Sequence, residues 1–146
     1  MEDISGIGIT VTIIASKTFP TGFTISQFAD DADPLDLPDV ELVAEGMNVN
    51  GELVTWSTPK PLTIDFNMIP NTEDVRNLDI LFDANRAAYK KVAVRDIITI
   101  VVNYPDGTKK VLNNGRPKTY APAPSIASAG RYKSRHYNFV FENKVN

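Results

Sequence analysis

The stretch LTIDFNMIPNTEDVRNLDILFDANRAAYKK, residues 62–91, decides the fold. Its first part alternates: Leu62, Ile64, Phe66 and Met68 are apolar, while Thr63, Asp65 and Asn67 between them are polar. Period two means a strand with one buried face. Pro70 ends it. The period then becomes helical, with Val75, Leu78, Leu81, Phe82 and Tyr89 on one side. Asn71 or Thr72 can cap this helix, and Glu73 and Asp74 fall in its first turn, where the exposed N–H groups favour anions. Lys90 and Lys91 close it at the end that favours cations. The pattern predicts a single helix, over about 72–90, running directly out of a half-buried strand.

The rest of the chain reads as strands. Ile7, Ile9, Val11 and Ile13 alternate with small or polar residues, and Phe23 and Ile25 follow after a turn expected at FPTG, residues 19–22. Val40 and Leu42 begin a further strand. Asn50-Gly51 is a hairpin signal, because a type I′ turn needs positive φ at both central residues. Residues 96–104, DIITIVVNY, are β-branched and apolar at successive positions, which predicts a central strand covered on both faces. Lys109–Leu112 returns as its hairpin partner. Residues 113–130, rich in small residues and proline, read as a long loop that orders on contact with a neighbour. The last strand, residues 135–141, puts Tyr137, Phe139 and Phe141 on one face. The expectation is a mainly β protein with one helix (α+β): a β-sandwich or half-barrel of about seven or eight strands flanked by that helix, in one domain over residues 1–146.

Composition excludes several classes of function. There is no cysteine, so disulfides, thiolate metal sites and cysteine nucleophiles are ruled out. The acidic N-terminus lacks the pattern of a secretory signal, and no apolar run is long enough to span a membrane. The single histidine, His136, has no second histidine or cysteine with which to build a triad or a zinc site. GIGIT, residues 6–10, lacks the third glycine of a phosphate-binding loop and lies at a strand. An enzyme is not expected, and neither is a cofactor.

Charge is unevenly placed. Residues 1–83 hold 15 acids and 3 bases; residues 84–146 hold 12 bases and 3 acids, although the whole chain is only −3. Five of the acids, Asp30, Asp31, Asp33, Asp36 and Asp39, crowd into ten residues. They do not fit a calcium loop: counting from Asp31, position 5 is Leu35 and position 12 is Leu42; counting from Asp30, position 3 is Ala32 and position 5 is Pro34. No metal is expected. A rigid acidic loop, stiffened by Pro34 and Pro38, fits better.

Three stretches, FPTGFTISQFADDADPLD (19–36), MNVNGELVTWSTPKPLTIDFNMIPNTEDVRNLDILFDANR (47–86) and SAGRYKSRHYNFVFEN (128–143), resemble the tail-tube and tube-like baseplate proteins of contractile-tailed bacteriophages. The resemblance spans about residues 5–142, and the strand-to-capped-helix junction is its most specific part. It implies a phage tail-tube-like fold with a hairpin used between subunits. It also implies a structural virion protein, made in the bacterial host's cytoplasm, that forms rings, commonly sixfold. Such rings stack head to tail around a channel through which DNA passes unbound, and they meet sheath or baseplate proteins of the tail.

Head-to-tail stacking joins two different surfaces and gains specificity when they carry opposite charge. The expected interface therefore sets the five aspartates against Arg131, Lys133 and Arg135 of a neighbour. A lumen that lets DNA slide should be acidic or neutral, which makes Glu52 and Asp65 the candidates to line it. The alternative is a polyanion or single-stranded nucleic-acid-binding module. It would use Lys109, Lys110, Arg116, Lys118, Arg131, Lys133 and Arg135, interleaved with Tyr120, Tyr132 and Tyr137.

Overall fold

A computed structural model describes residues 6–30 and 33–145. In chain order its elements are β1 (Thr10–Ala15), β2 (Phe19–Ile25), β3 (Leu35–Asp36), β4 (Ala44–Met47), β5 (Leu53–Trp56), β6 (Leu62–Met68), α1 (Glu73–Ala84), β7 (Ile98–Asn103), β8 (Lys109–Tyr120) and β9 (Arg135–Val145). Seven strands form one antiparallel sheet in the order β2-β1-β7-β8-β9-β6-β3, while β4 and β5 form a separate pair. The protein is mainly β with a single helix, as expected. The sheet is not closed and wraps one face around α1. Val75, Leu78, Leu81 and Phe82 of the helix meet Ile13, Ile64, Phe66, Ile100, Tyr137 and Phe139 of the strands. The rings of Phe82 and Phe139 lie edge to face at 4.9 Å. No residue of β4 or β5 belongs to this core. One sheet over one helix, rather than two facing sheets, makes the interior.

The helix starts where expected and stops early. Thr72, not Asn71, is the cap: its hydroxyl accepts the Val75 N–H at 3.4 Å. Asn71 itself takes a left-handed φ of 62° in the preceding turn. At the other end Ala84 is the last helical residue. The following residues, Arg86-Ala87-Ala88, have good helix propensity, so a tertiary bond is what ends the helix. The Asn85 side-chain amide donates to Leu81 O at 2.8 Å and to Asp96 at 2.9 Å, and its oxygen accepts the Asp96 N–H at 2.8 Å. This pairing turns the chain out of the helix and into β7. Tyr89 consequently leaves the apolar face and is 89% exposed. Lys91 still serves the helix end, through its ammonium on Asp83 O.

Other local readings shift for similar reasons. FPTG lies within β2; the turn is at 16–18, where fully buried Asp96 accepts the N–H groups of Lys17 and Thr18 at 2.7 and 3.0 Å. Pro20 is tolerated because β2 is an edge strand. Val40 and Leu42 precede β4 and are exposed. In the β4–β5 turn only Gly51 has positive φ, and the Asn48 carboxamide accepts the N–H groups of Asn50 and Glu52. This is a three-residue loop with a left-handed glycine rather than a type I′ turn. β7 is central but buried on one face only; Thr99, Val101 and Asn103 are half-buried.

Half of the supposed loop 113–130 is strand. β8 runs to Tyr120 through Gly115 and Pro117, two residues that usually interrupt strands. Gly115 is required there, because a Cβ would stand 2.2 Å from the Phe141 ring. Pro117 lies beyond the last pairing with β7, Ile98 with Gly115, so its missing N–H costs no ladder bond on that side. The remaining segment folds on itself: Ala127 N–H donates to Arg131 O at 2.7 Å and Lys133 N–H to Ser125 O at 2.8 Å.

Candidate assembly surfaces

The acidic loop is built against β6. Ala29 N–H donates to Asn67 O at 2.9 Å, Asn67 N–H to Pro34 O at 3.1 Å, and the Asn67 amide to Asp33 O at 2.7 Å. Leu35 and Asp36 then pair with Phe66 and Asp65. Asp30, Asp33, Asp36 and Asp39 are exposed, and these bonds fix the backbone at residues 33–36. Asp31 lies outside the described residues. Among the described residues no group of acids and histidine is arranged to hold a metal, and no helix is long and apolar enough to cross a membrane.

The expected basic partners divide. Arg131 and Lys133 are exposed. Arg135 is 4% exposed, and its guanidinium donates to both carboxylate oxygens of Asp79, at 2.8 and 3.2 Å, and to Ala121 O at 3.0 Å. It is therefore not offered to a neighbour. The Tyr137 hydroxyl donates to the same carboxylate at 2.7 Å. Burial, together with that bond, raises the ionisation of the Tyr137 phenol well above its ordinary range. The sequence reading offered Arg135 to a neighbouring subunit, whereas the register puts it on the core face beside Tyr137. Arg131 and Asp30 line one cavity of about 440 Å3, with Ile69, Pro70 and Tyr132. An acid of the loop and one of its expected basic partners thus line one groove of a single copy.

Asp65 and Glu52 do not share an element. Asp65 lies on the sheet face turned from the core, where it accepts the Asn138 amide and stands 3.6 Å from His136 Nε2. Glu52 is exposed in the β4–β5 turn. The bases of the nucleic-acid reading are also scattered. The length of β8, about 35 Å at strand rise, separates Lys109 and Lys110 from the loop carrying Arg131 and Lys133. Tyr137 is buried and Tyr120 donates its hydroxyl to Asp83, so neither is a free stacking platform.

Two surfaces carry exposed residues that the sequence reading did not name. The first is the β4–β5 hairpin, which is apolar on both faces. Trp56 and Val54 lie on one side, with the indole over Gly46; Met47 and Leu53 are paired on the other, each 65% exposed. The signal was the adjacent Leu53-Val54, which breaks the alternation of a strand with one buried face. The second is the excursion after α1, residues 86–92, whose residues are all exposed. Assigning its lysines to a helix end concealed it.

The overall fold, an open antiparallel sheet over one helix, is similar to that of solved chains from contractile injection systems. The chain resembles the extracellular contractile injection system solved as the PVC sheath/tube terminator in the extended state, at a TM-score of 0.55 and 14% identity over 99% of this chain and 96% of the other. It also resembles the tube-terminating cap of the anti-feeding prophage (0.57, 11%, 99% and 91%) and its sixfold-symmetrised baseplate (0.52, 11%, 99% and 95%). No curated protein matches by sequence. The family described as tail fiber protein gp32 matches residues 2–145, and the chain belongs to that family. The likeness to tail-tube and tube-like baseplate proteins read from the sequence is borne out.

Proposed function

We propose that this is a non-enzymatic structural protein of a phage tail, a single domain that assembles with copies of itself into a ring at the tube or its baseplate. The observation that carries the reading is the β4–β5 hairpin. A lone two-stranded hairpin is marginally stable in water, yet this one keeps Trp56, Met47, Leu53 and Val54 outside the core. Covering them against a neighbouring copy removes that apolar surface from water. The match to the tail fiber family and the tube-terminator and baseplate folds of the neighbours support the same reading. The ring would be sixfold and would meet sheath or baseplate proteins of the virion.

The sheet face turned from the core is the one offered to a DNA conduit. It presents Thr12, Thr24, Thr63, Asn67, Thr99 and Asn138, with Asp65 among them, and its bases are Lys109 and Arg116 of β8, opposite Asn103 and Val140. Neutral hydroxyls and amides offer little to phosphates, whose binding comes mainly from lysine and arginine. Negative-stain images of the purified chain test the proposal. Rings of uniform diameter are expected, and they should be lost in Trp56→Ala/Leu53→Ser. Rings unchanged by that variant would remove the hairpin as the contact; a monomer at every concentration would remove the ring.

A further inference from the structure

We infer that stacked rings are joined by the acidic segment 33–41 of one copy meeting the basic turn 86–95 of the next. This inference rests on the ring reading and names the surfaces it would use.

Segment 86–95, RAAYKKVAVR, holds four bases and no acid. It leaves the helix at Asn85 and returns where Val94 N–H donates to Ala84 O at 3.0 Å, so the intervening residues project as a turn. Reciprocal bonds between Ala88 and Lys91, at 3.1 and 2.9 Å, hold its tip, and Lys90 there takes a left-handed φ of 59°. The Lys90 ammonium lies 5.3 Å from the centre of the exposed Tyr89 ring. Of the two adjoining acids, Asp96 is buried and accepts four internal hydrogen bonds, while exposed Asp83 accepts the Tyr120 hydroxyl.

Segment 33–41 is the complement: four acids and no base. The loop that leads into it starts at the opposite end of α1. Asp74 in the first helical turn accepts the N–H groups of Ser26 and Gln27, at 2.9 and 3.1 Å, which fixes the start of the loop there. The 12-residue helix separates the two ends by about 18 Å. Head-to-tail assembly needs two different surfaces on one copy that reach toward different neighbours. Arg131 and Lys133 serve this less well, because Asp30 already shares a cavity with Arg131 in the same copy. Residues 33–36 of the acidic segment and the tip of the basic turn are held by backbone hydrogen bonds, which lowers the ordering entropy of their contact. Nucleic acid is the poorer occupant of the turn, because the chain supplies a matching acidic surface and is itself net −3.

The test is a charge swap in the full-length chain, read by sedimentation and negative-stain imaging, with circular dichroism as the control for folding. Arg86→Glu/Lys90→Glu should stay folded and raise the concentration needed for stacking by more than about tenfold, since facing like charges cost several kcal/mol. Adding Asp36→Lys/Asp39→Lys to the same chain should restore stacking. Stacks unchanged by the first pair, or not restored by the second, would overturn this contact while leaving the ring standing. Salt-sensitive retention of a DNA duplex that disappears in Arg86→Glu/Lys90→Glu would instead assign the turn to nucleic acid. A wild-type chain that forms no ring would remove both.

Discussion

The face of the sheet against α1 and the β4–β5 hairpin use the same kinds of side chain to opposite ends. Against α1, Phe66, Phe82, Phe139 and Phe141 are buried and ring-packed. In the hairpin, Trp56, Met47 and Leu53 are at least half exposed. Buried apolar surface stabilises the chain that buries it; exposed apolar surface serves a partner. Charge divides likewise. Arg135 and Asp96 are buried and hold elements of one copy together, whereas Lys90 and Asp36 are exposed on pinned turns.

Mutations can break this contrast, beginning with the core. Phe139→Ala should cost about 3–5 kcal/mol, because it removes an aromatic from the helix–sheet interior; urea unfolding measures it. Asp79→Asn should cost about 3 kcal/mol by leaving the buried Arg135 charge uncompensated. Loss of near-ultraviolet tyrosine dichroism, from Tyr137, should accompany it.

Asp96→Asn should cost about 2 kcal/mol, since an amide cannot accept all the donors that surround the carboxylate. Its pH dependence sharpens the prediction. Burial alone would raise the Asp96 ionisation, but the bonds from the Thr18 hydroxyl, the Asn85 amide and the Thr18 and Lys17 N–H groups outweigh it and lower it. The stabilisation is therefore fully present above the ordinary carboxyl pKa of about 4 and is lost as pH falls through the depressed folded value. Wild type and variant should converge in stability in strong acid. A constant gap down to the acid limit would contradict the assignment.

Gly115→Ala should cost about 1–3 kcal/mol, because Phe141 must shift to admit the methyl group. The smallest effect on stability belongs to the hairpin. Trp56→Ala should change unfolding by less than about 0.5 kcal/mol while abolishing ring formation. A large loss of monomer stability would show that the hairpin belongs to the fold and erase the contrast.

Patterns with a short period were legible in the sequence. Leu62 to Met68 alternated over a full strand, and Val75 to Phe82 gave a helix face, because side-chain direction follows backbone period within one element. The absence of cysteine and the lone histidine excluded thiolate and triad chemistry by inventory. The acidic loop was legible as exposed, since so many carboxylates cannot be buried unpaired. What only the tertiary structure decided were bonds between distant segments. Asn85 stops the helix because Asp96, across the chain excursion, offers a better partner than another helical turn. Arg135 shares the period of Tyr137, Phe139 and Phe141, but that a charge is held on that core face depends on Asp79 of α1. The hairpin stands apart because the core is already filled by one sheet and one helix. Each of these outcomes depends on which residues meet after folding, and sequence period carries no record of that.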